Sequence, residues 1–167
     1  MRTRSDSTYT AITKESYSKE QGAAAQVETY NKWVRVDLVF TPEQIVMYMD
    51  GVPVSTINKD ILMTDLGRNP AAYLGKSFYS ADKYFAGAFD NIEVYNRARS
   101  AEELALSYLA GEAGKLKEEE YTSASWNVLK AAYTEAETVL ADAAASSEQR
   151  TAAKAKLQAA MDVLIKG

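Results

Sequence analysis

Asp90, Asn91 and Glu93 interrupt a stretch that otherwise reads as a strand, Phe85-Ala86-Gly87-Ala88-Phe89-Asp90-Asn91-Ile92-Glu93-Val94-Tyr95-Asn96-Arg97. Phe85, Gly87 and Phe89 keep a period of two. Ile92 and Val94 keep it on the other parity, so the step changes at Asp90-Asn91, as it does at a β-bulge. The sequence contains no cysteine and no histidine. Disulfides, a cysteine nucleophile, a Ser-His-Asp triad and Cys/His zinc sites are therefore excluded. What remains is carboxylate, Tyr, Ser/Thr and Lys/Arg chemistry, or a hard cation. A glycosidase needs two carboxyls about 5–5.5 Å apart, or about 6.5–9.5 Å, on either side of a sugar. Asp90 and Glu93 are too close in sequence to flank a sugar readily, and no strand carries three alternating acids. Lys117-Glu118-Glu119-Glu120-Tyr121 sits at a helix end and reads as solvated charge. No catalytic residue is assigned. Tyr79 and Tyr84, in the loop Lys76-Ser77-Phe78-Tyr79-Ser80-Ala81-Asp82-Lys83-Tyr84-Phe85, each offer an apolar ring face with a hydroxyl. They could serve as a sugar platform; local packing is an equally good reading of them.

The elements that must position these residues differ between the two halves of the chain. Up to about residue 98 the pattern is β. Val34, Val36, Leu38 and Phe40 alternate with Trp33, Arg35 and Asp37, the pattern of a half-buried strand. Trp33 is read as structural, at the opening of that strand. Pro42 presets a turn, and Asp50-Gly51 is a two-residue hairpin signal of type I′. Short strands are expected around Tyr9, around Tyr73-Leu74 and in the Phe85–Arg97 stretch. From Ser100 the period becomes helical. Ser100 with Glu103, Thr122, and Ser146 with Gln149 mark three helix starts. The expected apolar seams are Leu104, Ala105, Tyr108 and Leu109, then Trp126, Leu129, Tyr133, Ala136 and Leu140, then Ala153, Leu157, Ala160 and Leu164.

Composition limits the partners. Of 167 residues, 47% are hydrophobic and 25% charged, and the formal net charge is −4, so there is no basic footprint for nucleic acid. No apolar run approaches the roughly 18–20 residues of a membrane helix, and no membrane insertion is expected. The opening Met1–Thr10 has no apolar h-region, so no signal peptide is expected there.

Several pieces in order resemble the laminin-G-like, concanavalin A-like jelly-roll family over about residues 8–109. They are Trp33 before a strand, Tyr48-x-Asp50-Gly51, Leu74-Gly75, Gly87-x-Phe89-Asp90, and Tyr95-Asn96-Arg97-Ala98 running into Ser100-Ala101-Glu102-Glu103. Such domains carry further strands before the Trp33 strand. The sequence thus looks like the C-terminal part of a jelly roll, and its inner-face residues Val34, Val36 and Phe40 are expected to be exposed. Either the chain is part of a longer protein, which is favoured, or the sandwich is shortened or completed by another copy.

Tyr121-Thr122-x-x-Ser125-Trp126, Val139-Leu140-Ala141 and Leu157-Gln158-x-Ala160-x-Asp162-x-Leu164 resemble the FIVAR helical module over about residues 104–166. The fold expected is therefore multi-module β plus α. Residues 1–99 form an antiparallel β-sandwich, a truncated jelly roll. Residues 100–167 form a three-helix bundle whose first helix is shared with the sandwich end.

The resemblances imply a setting: a non-catalytic accessory region of a secreted or wall-attached bacterial glycoside hydrolase, with a glycan ligand and a catalytic domain on the same polypeptide. The alternative is a structural or adhesive surface module that binds a protein and no sugar. Related jelly rolls often hold a structural calcium, which makes Asp90 a calcium ligand in one reading. In the other, Asp90 accepts hydrogen bonds from backbone N–H groups freed by the bulge.

Overall fold

The computed structural model describes residues 2–4, 7–12, 21–26, 31–66, 68, 73–76, 81 and 84–167. The chain divides into two compact units, Met1–Met49 with Pro53–Ala98, and Asp50–Val52 with Arg99–Gly167.

The first unit contains two three-stranded sheets. One has β1 (Arg2–Arg4), β2 (Ser7–Ile12) and β3 (Gln21–Gln26), paired antiparallel in that order. The other has β4 (Val36–Phe40), β5 (Gln44–Met49) and β6 (Val52–Asn58). In β4–β5 the antiparallel register sets Val36 opposite Met49 and Phe40 opposite Ile45. Thr41 closes the turn between them: its N–H donates to the Gln44 carbonyl at 3.0 Å, and its Oγ1 accepts the Gln44 N–H at 3.0 Å. The β5–β6 connection is the expected hairpin. Asp50 and Gly51 both have positive φ, 50° and 75°, as a type I′ turn demands.

The alternation read in β4 places its even-numbered side chains on the core. Val36, Leu38 and Phe40 pack against Ala23 of β3, Ile45 and Met47 of β5, and Ile61. Gln21 fastens the first sheet to the segment after β6, its Oε1 accepting the Asp60 N–H at 3.0 Å and its amide nitrogen donating to the Asp60 carboxylate. The expected exposure of Val34, Val36 and Phe40 is thus corrected. All three are half-buried, and β3 lies against β5. On the other face of β4, Arg35 Nη2 donates to Asp37 Oδ1 at 2.9 Å. Trp33, read as opening the strand, precedes it by three residues and is 65% exposed.

The Phe85–Arg97 stretch is a second correction. No strand forms among the described residues from 84 to 100. Alternation makes a segment able to be half-buried, but a strand exists only through hydrogen bonds to a neighbour. Here Asn91 takes φ 50°, which breaks the extended run at the point where the apolar beat slips. Ile92, at 62%, and Val94, at 94%, are left open to solvent.

In the second unit, α1 (Ala101–Ala113), α2 (Ser123–Ala141) and α3 (Ser147–Asp162) contribute to one hydrophobic core. Leu129 and Ala136 of α2 and Ala153, Leu157 and Ala160 of α3 are buried, with Trp126, Tyr133, Leu140 and Leu164 packed around them. Both seams are as the spacing predicts. The α1 seam differs. Leu106, Leu109, Ala110 and Ala113 face the other helices. Ala105 and Tyr108 instead meet the turn at Gly51, where an added Cβ would lie 2.9 Å from Tyr108 Cβ and 3.1 Å from Ala105 Cα. Gly51 is therefore required twice, by its φ and by this approach.

All three helix starts are capped as read. Ser100 accepts from the Glu103 N–H, Thr122 from the Ser125 N–H and Ser146 from the Gln149 N–H. The box is reciprocal at Ser146–Gln149. At the other end Thr122 donates its N–H to Ile165 at 2.9 Å, Gly167 donates to Glu120 at 3.1 Å, and the buried Ser125 Oγ accepts the Ile165 N–H at 3.2 Å. These bonds clasp the last residues to the start of α2.

Two helix starts make stability depend on pH. The backbone N–H of Glu102 hydrogen-bonds its own carboxylate and holds it below the usual range, with the Ser100 hydroxyl adding to the effect. Glu148 is lowered in the same way, by its own backbone N–H and then by Ser146. A carboxyl whose folded pKa is depressed contributes stability that is complete above its unfolded pKa of 4.5 and is lost as pH falls through the folded value. Urea midpoints of the helical signal should therefore drop on acidification below the ordinary carboxylate range. The Glu102→Gln, Glu148→Gln double variant should show a shallower drop.

Candidate functional site

The aromatic and charged residues in the first unit whose chemistry suits ligand contact come from two segments, 73–76 and 84–89. Gly75 joins them. Its carbonyl accepts the Phe85 N–H at 2.8 Å. Its φ of 68° is left-handed, and a Cβ there would stand 2.9 Å from Phe89 Cε2 and 3.2 Å from Phe85 Cβ. The Phe85 and Phe89 rings close the frame, their centroids 4.9 Å apart at 42°. Only a residue that lacks a Cβ lets the Phe89 ring approach the 73–76 backbone so closely.

This frame brings Tyr73 and Lys76 on one segment near Tyr84 on the other. The Lys76 ammonium lies 4.9 Å from the Tyr73 ring centroid and 6.0 Å from that of Tyr84, within the reach of cation–π attraction. The rings are open to solvent, Tyr84 at 73% and Tyr73 at 41%. Two phenol rings with an ammonium near both can offer an apolar ligand a stacking face and donate hydrogen bonds beside it.

Tyr84, expected from the sequence as a platform residue, belongs to this group, its ring centroid 6.0 Å from the Lys76 ammonium. Tyr79, its expected companion, lies outside the described residues. Tyr73 and Lys76 were missed. The segment around Tyr73 reads as a strand, whereas residues 73–76 form no strand. The signal that could have found them is Leu74-Gly75, a glycine beside aromatics in a segment that must turn.

Asp90 lies apart in role. Its Oδ1 accepts the Asn91 N–H at 2.9 Å, the backbone contact that one of its two readings requires, next to the left-handed Asn91. Glu93 Oε2 accepts the Tyr95 hydroxyl at 2.6 Å. Calcium requires six to eight oxygens. Among the described residues no three His, Cys, Asp or Glu side chains are grouped so that they could hold a metal ion.

Gly75→Ala should cost about 1–2 kcal/mol from the left-handed backbone alone and push the Phe89 ring aside. Thermal melts of the first unit, with tyrosine fluorescence as a local readout, would measure both effects.

Residues 1–105 match the family described as the concanavalin A-like lectin/glucanases superfamily. The chain belongs to this superfamily. The match covers the sheets, the Tyr73–Lys76–Tyr84 group and the first turn of α1, so the group lies within a lectin/glucanase-type domain. Over 89 residues the chain is 35% identical to an α-L-arabinofuranosidase of Bifidobacterium longum subsp. longum, a stretch that is 52% of this chain and 8% of that protein. Among solved structures it is similar to residues 221–444 of an S-layer domain-containing protein of Clostridium thermocellum. There the identity is 23%, the TM-score is 0.43, and the coverage is 61% of this chain and 51% of that one. Among the described residues no helix is long and apolar enough to cross a membrane.

Proposed function

We propose that this chain is a non-catalytic accessory region of a secreted or surface-attached bacterial carbohydrate-active protein. Its sandwich unit holds a glycan on Tyr84 and Tyr73, and its three helices form a FIVAR-like bundle that serves as a spacer. The observation that carries the reading is the pair of exposed tyrosine rings, 73% and 41% open, fixed by Gly75 in a chain of the lectin/glucanase superfamily. Similarity to part of an α-L-arabinofuranosidase supports a carbohydrate-active parent and makes arabinose-containing oligosaccharides the first probes. The bundle reading rests on the shared core of α1, α2 and α3 and on the motifs from Tyr121 to Leu164.

A glycan array, run with calcium and with chelator, tests the proposal. The chain should bind at least one oligosaccharide class in both conditions, Tyr84→Ala should lower that binding at least tenfold, about 1.4 kcal/mol, and no bound glycan should be hydrolysed. Binding to no glycan in either condition would contradict it. One observation favours the second reading, a surface that binds a protein: the exposed apolar side chains of Ile92 and Val94. On that reading the array is blank and Ile92→Ser, Val94→Ser abolishes capture of the partner.

A further inference from the structure

We infer that the Tyr73–Lys76–Tyr84 group selects an acidic sugar, a uronic acid unit whose ring face lies on a tyrosine and whose carboxylate meets the Lys76 ammonium. This rests on the proposed carbohydrate role and specifies its ligand class.

A neutral glycan needs ring faces and hydroxyl partners, which two tyrosines supply without a lysine between them. The added feature here is a positive charge held in place. Lys76 is exposed, yet its ammonium is placed over Tyr73 at 4.9 Å and within 6.0 Å of Tyr84. Cation–π attraction at an exposed site is weak but favourable. It biases the Lys76 side chain toward this placement, so part of the cost of ordering its rotamers is met before a ligand binds. The ring faces do not use up the three N–H donors, and none of the ion pairs among the described residues involves Lys76.

The ligand suited to this arrangement has an apolar C–H face and, at its edge, an anionic acceptor. A pyranose with a carboxylate on C5 has both. The net charge of the chain is −4, so its overall charge does not draw an anion in. Any preference for the acidic sugar must come from the local ammonium, and one substitution should remove it.

The experiment is a calorimetric titration of the full chain with glucuronic acid-substituted xylo-oligosaccharides and with oligogalacturonides, each beside its carboxyl-reduced counterpart. The acidic form should bind about three- to tenfold more tightly than the reduced form, as expected of a partly exposed charge-assisted hydrogen bond. Added salt should narrow the difference. Lys76→Gln should abolish the preference, bringing the acidic form down to the affinity of the reduced form, and Lys76→Arg should retain it. Equal binding of acidic and reduced forms, still lost in Tyr84→Ala, overturns the inference and leaves the carbohydrate role standing. Equal weakening of both forms in Lys76→Gln also overturns it, because Lys76 then only positions the tyrosines. Binding of neither form, with a blank array, overturns both.

Discussion

Arg99→Ala should destabilise the helical unit by about 3–5 kcal/mol, a large share of the 5–15 kcal/mol typical of a whole domain. Arg99 Nε lies 2.7 Å from Glu103 Oε1, and the two side chains are only 10% and 3% exposed. The pair stands at the entry to α1, where Ser100 caps the helix by accepting the Glu103 N–H at 3.2 Å. Removing the guanidinium takes this cation away from a carboxylate that is only 3% exposed. The penalty is mainly the desolvation of a buried charge that has lost this cation, so it exceeds what the pair contributes over a neutral substitute. Glu103→Gln in the Arg99→Ala background should therefore recover part of the loss. Chemical denaturation followed at 222 nm measures both. A cost below about 1 kcal/mol, the range of a surface ion pair, would mean that water reaches Glu103.

Leu157→Ala should cost about 2–5 kcal/mol. Leu157 is fully buried in α3, in the cluster that also holds Leu106, Leu109 and Leu129 from the other two helices. Much of the rest of that core is alanine: Ala110, Ala113, Ala136, Ala153 and Ala160. Small residues bring helix backbones close, and the few leucines then fill most of the volume between them. Trp126, Tyr133, Leu140 and Leu164 pack around the cluster, so the place within that range reports how far these larger side chains relax into the cavity. Leu157→Met, close in volume, should cost less than about 1.5 kcal/mol. Similar losses for both variants would show a loosely packed core.

The helical half was the more legible. Leu129, Ala136, Ala153 and Leu157 recur at helical spacing with polar residues between them, and the caps Thr122 and Ser146 stand where local hydrogen bonds alone require them. The first helix was harder to read because it buries side chains on more than one side. Ala105 and Tyr108 are apolar for the sake of Gly51, while Leu106 and Ala110 are apolar for the other helices. Periodicity cannot separate two overlapping stripes. The Phe85–Arg97 stretch shows a different limit: its alternation marks a segment suited to pairing, but the neighbour that would pair with it is not written in the segment.

The site was legible only in part, for a related reason. Tyr84 could be picked out as an aromatic in a loop. Tyr73 and Lys76 join it through the left-handed backbone of Gly75 and the Phe85–Phe89 contact. Those are tertiary facts, carried in the sequence by one glycine. Asp90, the most conspicuous acid, hydrogen-bonds the neighbouring Asn91 N–H, so the break in the apolar beat coincides with a backbone feature.

The central claim is that the first unit takes a glycan on the tyrosine pair. An NMR titration of the isotopically labelled chain with the oligosaccharides chosen by the array tests it most directly. The account predicts saturable shifts at Tyr73, Lys76 and Tyr84, with α2 and α3 unmoved. Shifts confined to other residues, or no shifts at saturating glycan, would contradict it.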